Sequence, residues 1–206
     1  MEDLNHEVLR ARLQELLARH QRHRESRWPI MFDPAAGGKM LAEVLAMPLD
    51  RLHPNTDSLM RAIWDAQRVH NWLLFTGGVG RGKSAAMRVV TCCIQAQARP
   101  RLMWTSARDL AASDDRQQSA KSADLLIIDD LGTEPSNVKA YGTDTTPVAD
   151  VIEARYNTSM PTYITTNLDG EALQQHIGAR VVSRLCEMAG IVKFNEFIPT
   201  SQRINT

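Results

Sequence analysis

The chain carries no net charge: 24 lysines and arginines balance 24 aspartates and glutamates over 206 residues. No overall basic field argues for nucleic acid, and no acidic one argues against it. It holds three cysteines, Cys92, Cys93 and Cys186. Cys92 and Cys93 are neighbours in an expected helix, without metal-ligand spacing, and the cysteines read as reduced packing residues. No apolar run reaches the length of about 18 residues that a spanning helix needs, and the acidic, polar start lacks a signal-peptide pattern. A cytoplasmic location with no membrane contact is the expectation. This length accommodates one α/β core plus a short accessory segment.

What is present begins with residues 4–24, which fit one helix. Leu4, Val8, Leu9, Leu13, Leu16 and Leu17 recur at helical spacing, and Arg10, Arg12, Arg19, Arg22 and Arg24 with His20 and His23 fill much of the rest. Trp28-Pro29 ends it. An amphipathic helix packed on the core or on a partner is the plain reading. A phosphate contact from the Arg/His-rich end is the alternative, which five acids among the first 25 residues weaken. His20 and His23 have no evident third metal ligand. Residues 32–38 read as a turn-rich linker, 41–47 as a short helix, and 57–70 as a helix with Leu59, Ile63, Ala66 and Val69 near one face. The expected division is an accessory segment over 1–53 and a catalytic domain over 54–206.

The strongest signal follows. The apolar strand 72–76 runs into Gly77-Gly78-Val79-Gly80-Arg81-Gly82-Lys83-Ser84, which fits G-x-x-x-x-G-K-[ST], and a helical pattern takes over to residue 97. Glycines at 77, 80 and 82 allow the tight turning that brings backbone N–H groups to phosphate oxygens. Lys83 is placed to reach the β- and γ-phosphates of ATP and Ser84 to ligate Mg²⁺, with the helix dipole aimed at the same anion. Residues 101–105 form the next strand candidate, followed by a polar helix. Then Leu125-Leu126-Ile127-Ile128-Asp129-Asp130 closes a central strand with two acids. Asp129 is expected at Mg²⁺ and Asp130 as the group that polarises the attacking water. A further strand over 161–167 ends in Thr165-Thr166-Asn167, where Asn167, or Thr166 beside it, can stand between the γ-phosphate and that water. Residues 133–146 read as a long polar loop, open either to single-stranded DNA or to solvent. A last strand is expected over 191–197.

These pieces, with Ile177-Gly178-Ala179-Arg180-Val181-Val182-Ser183-Arg184-Leu185, resemble the AAA+ ATPases of the DnaC/IstB-like group over roughly residues 70–205. The resemblance implies a P-loop NTPase fold: a three-layer α/β/α core on a central parallel sheet, with a reduced or absent C-terminal helical lid. It implies that Asn167 is the sensor on the fourth strand. Arg184 would be the finger that enters a neighbouring subunit's ATP, with Arg180 its companion one turn earlier, and Arg203 matches the terminal arginine of the group. It also implies ATP and Mg²⁺ as cofactors and an ATP-dependent homo-oligomer. The leading functional expectation is a loader that delivers a replicative ring helicase to single-stranded DNA. A transposition helper ATPase on duplex DNA, an assembly scaffold with little turnover, and a small-molecule kinase are the alternatives, in that order.

Overall fold

The computed structural model describes residues 34–46, 48–135 and 146–197. The helix expected over 4–24, residues 136–145 of the polar loop, and Arg203 lie outside the described residues. In chain order the elements are α1 (Pro34–Val44), a short 3-10 turn (Leu49–Arg51), α2 (Thr56–Val69), β1 (Trp72–Thr76), α3 (Lys83–Ala98), β2 (Leu102–Ser106), α4 (Ala107–Ala111) and α5 (Asp114–Ser122). Then come β3 (Leu125–Leu131), α6 (Pro147–Thr158), β4 (Thr162–Thr166), α7 (Gly170–Ile177), α8 (Ala179–Met188), β5 (Ala189–Lys193) and α9 (Phe194–Phe197).

The five strands form one parallel sheet in the order β2-β3-β4-β1-β5. Parallel strands joined by helices are covered on both faces, so they read as continuous apolar runs rather than alternating ones. Alternation still decides which layer each residue enters. Trp72, Leu74, Leu126, Ile128 and Ile164 pack with Leu110, Ile152, Leu173 and Leu185 on one side. Leu73, Phe75, Ile127 and Tyr163 pack with Leu59, Ile63, Met87 and Ile94 on the other. The result is the expected α/β/α sandwich. Helix starts are locked by side-chain caps: Ser106, Ser113, Thr146 and Asp169 each accept the backbone N–H three residues on.

Two expectations are corrected. Residues 34–38, expected as linker, instead form one helix with residues 39–44 as α1, and Gly37 and Gly38 are buried inside it. A Cβ on Gly38 would come within 2.9 Å of Asp57 Oδ1. Gly38 therefore lets α1 and α2 approach rather than turning the chain. Leu41 of α1 joins the core cluster on the α3 side, so the described body reaches back to Pro34. The last strand also begins and ends earlier than expected, at Ala189–Lys193, and the chain then coils as α9. Phe194 causes the change: it is fully buried and packs on Phe75 with ring centroids 5.2 Å apart.

Arg155 on α6 is fully buried and anchors the entrances to β3 and β4. Its guanidinium donates to Ala120 O (2.7 Å), Ala123 O (2.9 Å), Pro161 O (2.5 Å) and Thr162 Oγ1 (2.7 Å). Burial pulls its pKa from 12.5 down to about 10, against a smaller upward pull from Asp124.

Candidate functional site

All five strands point the same way, so whatever follows β1, β3 and β4 meets at one edge of the sheet. The loop after β1 turns through residues 77–82 into the N-terminus of α3. Gly77 has φ +141°, and a Cβ there would lie 3.1 Å from both Asn195 Oδ1 and Phe194 Cβ. Glycine is required by both the conformation and the contact. Asn195, carried on α9, accepts a hydrogen bond from Gly78 N–H at 3.1 Å.

Lys83 is folded into the loop it belongs to. Its ammonium donates to Gly77 O (2.7 Å), Gly78 O (2.9 Å) and Asn167 Oδ1 (2.6 Å), so its three protons have three acceptors. Burial lowers its pKa, Asp130 and Asp129 oppose that shift, and Arg81 adds to it. Ser84 Oγ donates to Asp129 Oδ1 at 2.9 Å. Asn167 donates from Nδ2 to Asp130 Oδ1 at 3.4 Å, and thereby stands between the lysine and the second acid. The structure thus brings Gly77, Gly78, Lys83, Ser84, Asp129, Asp130 and Asn167 into one hydrogen-bonded cluster, joined through Thr165.

The two acids share that cluster because β3 is bulged. Ile128 pairs with Ile164 and Leu131 with Thr166, so Asp129 and Asp130 together stand opposite Thr165 alone. Asp130 takes φ +57°, in the left-handed region. Thr165 Oγ1 accepts from Asp130 N at 2.9 Å and donates to Asp129 Oδ1 at 2.5 Å. Thr166 faces the other way and donates to Leu131 O at 2.7 Å. Just past the bulge, Glu134 is buried; it accepts from Gly132 N at 2.8 Å and pairs with His176 Nε2 at 3.0 Å.

The donor set fits Mg²⁺, a hard cation that takes oxygen ligands and keeps several waters or phosphate oxygens. Ser84 Oγ and the Asp129 carboxylate supply oxygens of that kind, joined by a hydrogen bond of 2.9 Å. Among the described residues no three His, Cys, Asp or Glu gather into a protein-only cage. Beside Gly77 and Gly78 opens a cavity of about 650 Å³, with an apolar wall of Leu173, Val182, Leu185, Cys186 and Ile191.

Arg180 and Arg184 do not join this cluster. Glu153 of α6 holds both: Oε1 lies 3.2 Å from Arg180 Nε, and Oε2 lies 2.8 Å from Arg184 Nη1. The Arg184 guanidinium also stacks on Tyr156, 4.7 Å from the ring centroid. Arg184 is mostly covered and Arg180 is exposed.

Sequence reasoning missed Thr165, Asn195 and Glu134. Strand alternation held the signal for Thr165, since it places residues 165 and 167 on one face and 166 on the other. Asn195 carried no such signal, because its position depends on the turn at Phe194.

No family model matches the sequence, and no curated protein matches it. Solved structures match it in fold. The DnaC helicase loader crystal structure superposes with a TM-score of 0.57 at 21% identity, covering 73% of this chain and 98% of that one. DnaI gives 0.55 at 20% identity, over 73% of this chain and 92% of that one. The replication initiator DnaA bound to AMPPCP and single-stranded DNA gives 0.50 at 18% identity, over 67% of this chain and 44% of that one. This chain therefore shares the α/β fold of those structures, with the glycine-rich motif in the turn after β1. Among the described residues no helix is long and apolar enough to cross a membrane.

Proposed function

We propose that this chain, built on the AAA+ core that the DnaC helicase loader also carries, binds and hydrolyses Mg·ATP and uses the cycle to deliver a ring helicase to single-stranded DNA. The observation that carries the nucleotide reading is the convergence of Lys83, Ser84, Asp129, Asp130 and Asn167 within hydrogen-bonding reach of one another. Lys83 exchanges its loop carbonyls for β- and γ-phosphate oxygens. Ser84 and Asp129 would hold Mg²⁺, which when bound would neutralise charge on the phosphates. Asp130 orients the attacking water and draws its proton, and Asn167 keeps Asp130 in register with the γ-phosphate. Arg203, outside the described residues, is proposed to reach the nucleotide as well.

Arg184, with Arg180 beside it, is proposed to act in trans on the ATP of a neighbouring copy, where a fixed cation stabilises transition-state charge. Within one chain both arginines are held by Glu153 rather than by a residue of the phosphate loop, which supports this reading over action in cis. The functional unit is then an ATP-dependent homo-oligomer of a cytoplasmic protein. The coupling to a helicase and to single-stranded DNA rests on the fold shared with DnaC and with DnaA, whose structure holds both AMPPCP and single-stranded DNA.

The deciding experiment is ATP turnover by the purified chain alone, with single-stranded DNA and with duplex DNA, with mass measured under each condition. Stimulation by single strands together with a nucleotide-dependent oligomer is expected. Duplex-dependent filaments would replace the loader by a transposition helper, and tight ATP binding without turnover would replace it by an assembly scaffold.

A further inference from the structure

Two adjacent residues of a regular strand point to opposite faces, so an Asp-Asp pair cannot ordinarily present both carboxylates to one ligand. Here the bulge removes that conflict, and a single residue of the neighbouring strand spans it. We infer that Thr165 is the positioning residue of the nucleotide site, setting the Asp129 carboxylate for the metal and the Asp130 backbone for the water. The inference rests on the Mg·ATP reading of the same cluster.

The geometry is specific to a hydroxyl. Thr165 is fully buried, and its Oγ1 must accept from Asp130 N–H while donating to Asp129 Oδ1. A hydroxyl has one proton and free lone pairs, so it can do both at once. The accepted bond satisfies the one backbone donor that the left-handed Asp130 turns out of the ladder. The donated bond falls on the same oxygen that Ser84 engages at 2.9 Å. Asp129 Oδ1 is thus saturated from two sides, while Oδ2 accepts no hydrogen bond among the described residues. A carboxylate fixed by one oxygen presents the other to a cation, as outer partners of metal ligands commonly arrange. Two residues on, just past the end of β4, Asn167 completes the set by contacting Asp130 Oδ1 and Lys83.

The test compares Thr165→Val, which keeps the shape and removes the hydroxyl, with Thr165→Ser, which keeps the hydroxyl. Binding of a fluorescent, non-hydrolysable ATP analogue is titrated with Mg²⁺, and kcat and KM are measured at saturating Mg²⁺. Urea unfolding of each variant in the full chain supplies the folding control. The Val variant should need about tenfold more Mg²⁺ to tighten nucleotide, in the range set by lost outer partners of metal ligands. Its kcat should fall about tenfold or more with KM little changed, and Ser should restore most of both. A Val variant matching wild type in both readouts would overturn the inference. So would a Ser variant that falls as far as Val, because shape and not the hydroxyl would then be the cause. If wild type binds the analogue with Thr165-dependent Mg²⁺ sensitivity yet never turns over, the positioning role stands and the hydrolase reading falls. If Mg²⁺ leaves wild-type nucleotide binding unchanged, both fall.

Discussion

Two substitutions of the buried Arg155 separate the charge it carries from the bonds it makes. Its pKa is drawn from 12.5 to about 10. At about 1.4 kcal/mol per unit, keeping it charged costs the fold about 3 kcal/mol. Removing the guanidinium in Arg155→Met recovers that cost but strands its acceptors. Pro161 O keeps a second donor, Leu126 N at 3.2 Å, and Thr162 Oγ1 still donates to Met160 O at 3.0 Å. Ala120 O and Ala123 O lose the donor named for each, at about 1–3 kcal/mol apiece. The net loss for Met is therefore between nothing and about 3 kcal/mol. Arg155→Lys keeps a buried cation, more strongly hydrated than guanidinium, and one ammonium cannot reproduce a fork that reaches both strand entrances. Lys should destabilise by about 1–2 kcal/mol more than Met, the reverse of chemical similarity. Urea unfolding at neutral pH with a shared m value measures the difference. A Lys variant as stable as wild type, beside a Met variant weakened by more than about 4 kcal/mol, would refute the reasoning and make the charge itself the stabilising element. The pH dependence gives a second check. A base with a depressed folded-state pKa leaves the native state with fewer bound protons between about pH 10 and 12.5, so its penalty is present below about 10 and fades above it. Wild type should therefore gain on the Met variant as the pH rises through 10.

Asp130→Asn should abolish ATP turnover while retaining ATP binding; normal hydrolysis in a steady-state assay would remove Asp130 from water activation. Arg184→Ala should lose turnover with nucleotide still bound, and mixing it with a Lys83-defective copy should restore activity if the arginine acts in trans, with melting curves of each variant as the folding control. Gly132→Ala forces a side chain onto φ +101° with its Cβ 2.5 Å from Leu168 Cδ1. It should cost about 1–3 kcal/mol and lower the melting temperature by several degrees; an unchanged melting temperature would show that Leu168 swings clear. A chain beginning at Pro34 should unfold at a higher urea concentration than one beginning at Pro54, because the longer one keeps Leu41 in the core. Equal midpoints would support a catalytic unit that starts near residue 54.

The elements that sequence pattern made legible are those whose cause is local. Glycine spacing and a terminal Lys-Ser announce a phosphate loop, and an apolar run closed by two acids announces a buried strand, because both signals lie within a few residues. Asn167 was found the same way, as a polar group at a strand end. What stayed hidden depends on residues distant in sequence. The bulge at Asp129–Asp130 exists only relative to the register of β4, so nothing within β3 reveals it. Gly37 and Gly38 look like a turn until Asp57 is known to lie against Gly38. Phe194 ends its strand because a pocket beside Phe75 awaits it, and Asn195 follows it to the phosphate loop. Arg180 and Arg184 were read from a resemblance, and the structure adds Glu153 and Tyr156 as what holds them in a single chain.

The strand order has a consequence for how the site comes into being during synthesis. β1 carries the phosphate loop, yet its hydrogen-bonded neighbours are β4 and β5, the last two strands to be made. β2 and β3 emerge in between and pair with each other, leaving β1 without a flank until late. Non-local pairings of this kind carry the loop-closure cost that slows folding and prolongs exposure of unpaired edges. A nascent or proteolysed chain that stops before β4 therefore contains the whole phosphate-binding motif and none of Thr165, Asn167 or Asn195. On the proposed Mg·ATP reading, nucleotide would stabilise finished copies, whose sheet is complete, over partial ones.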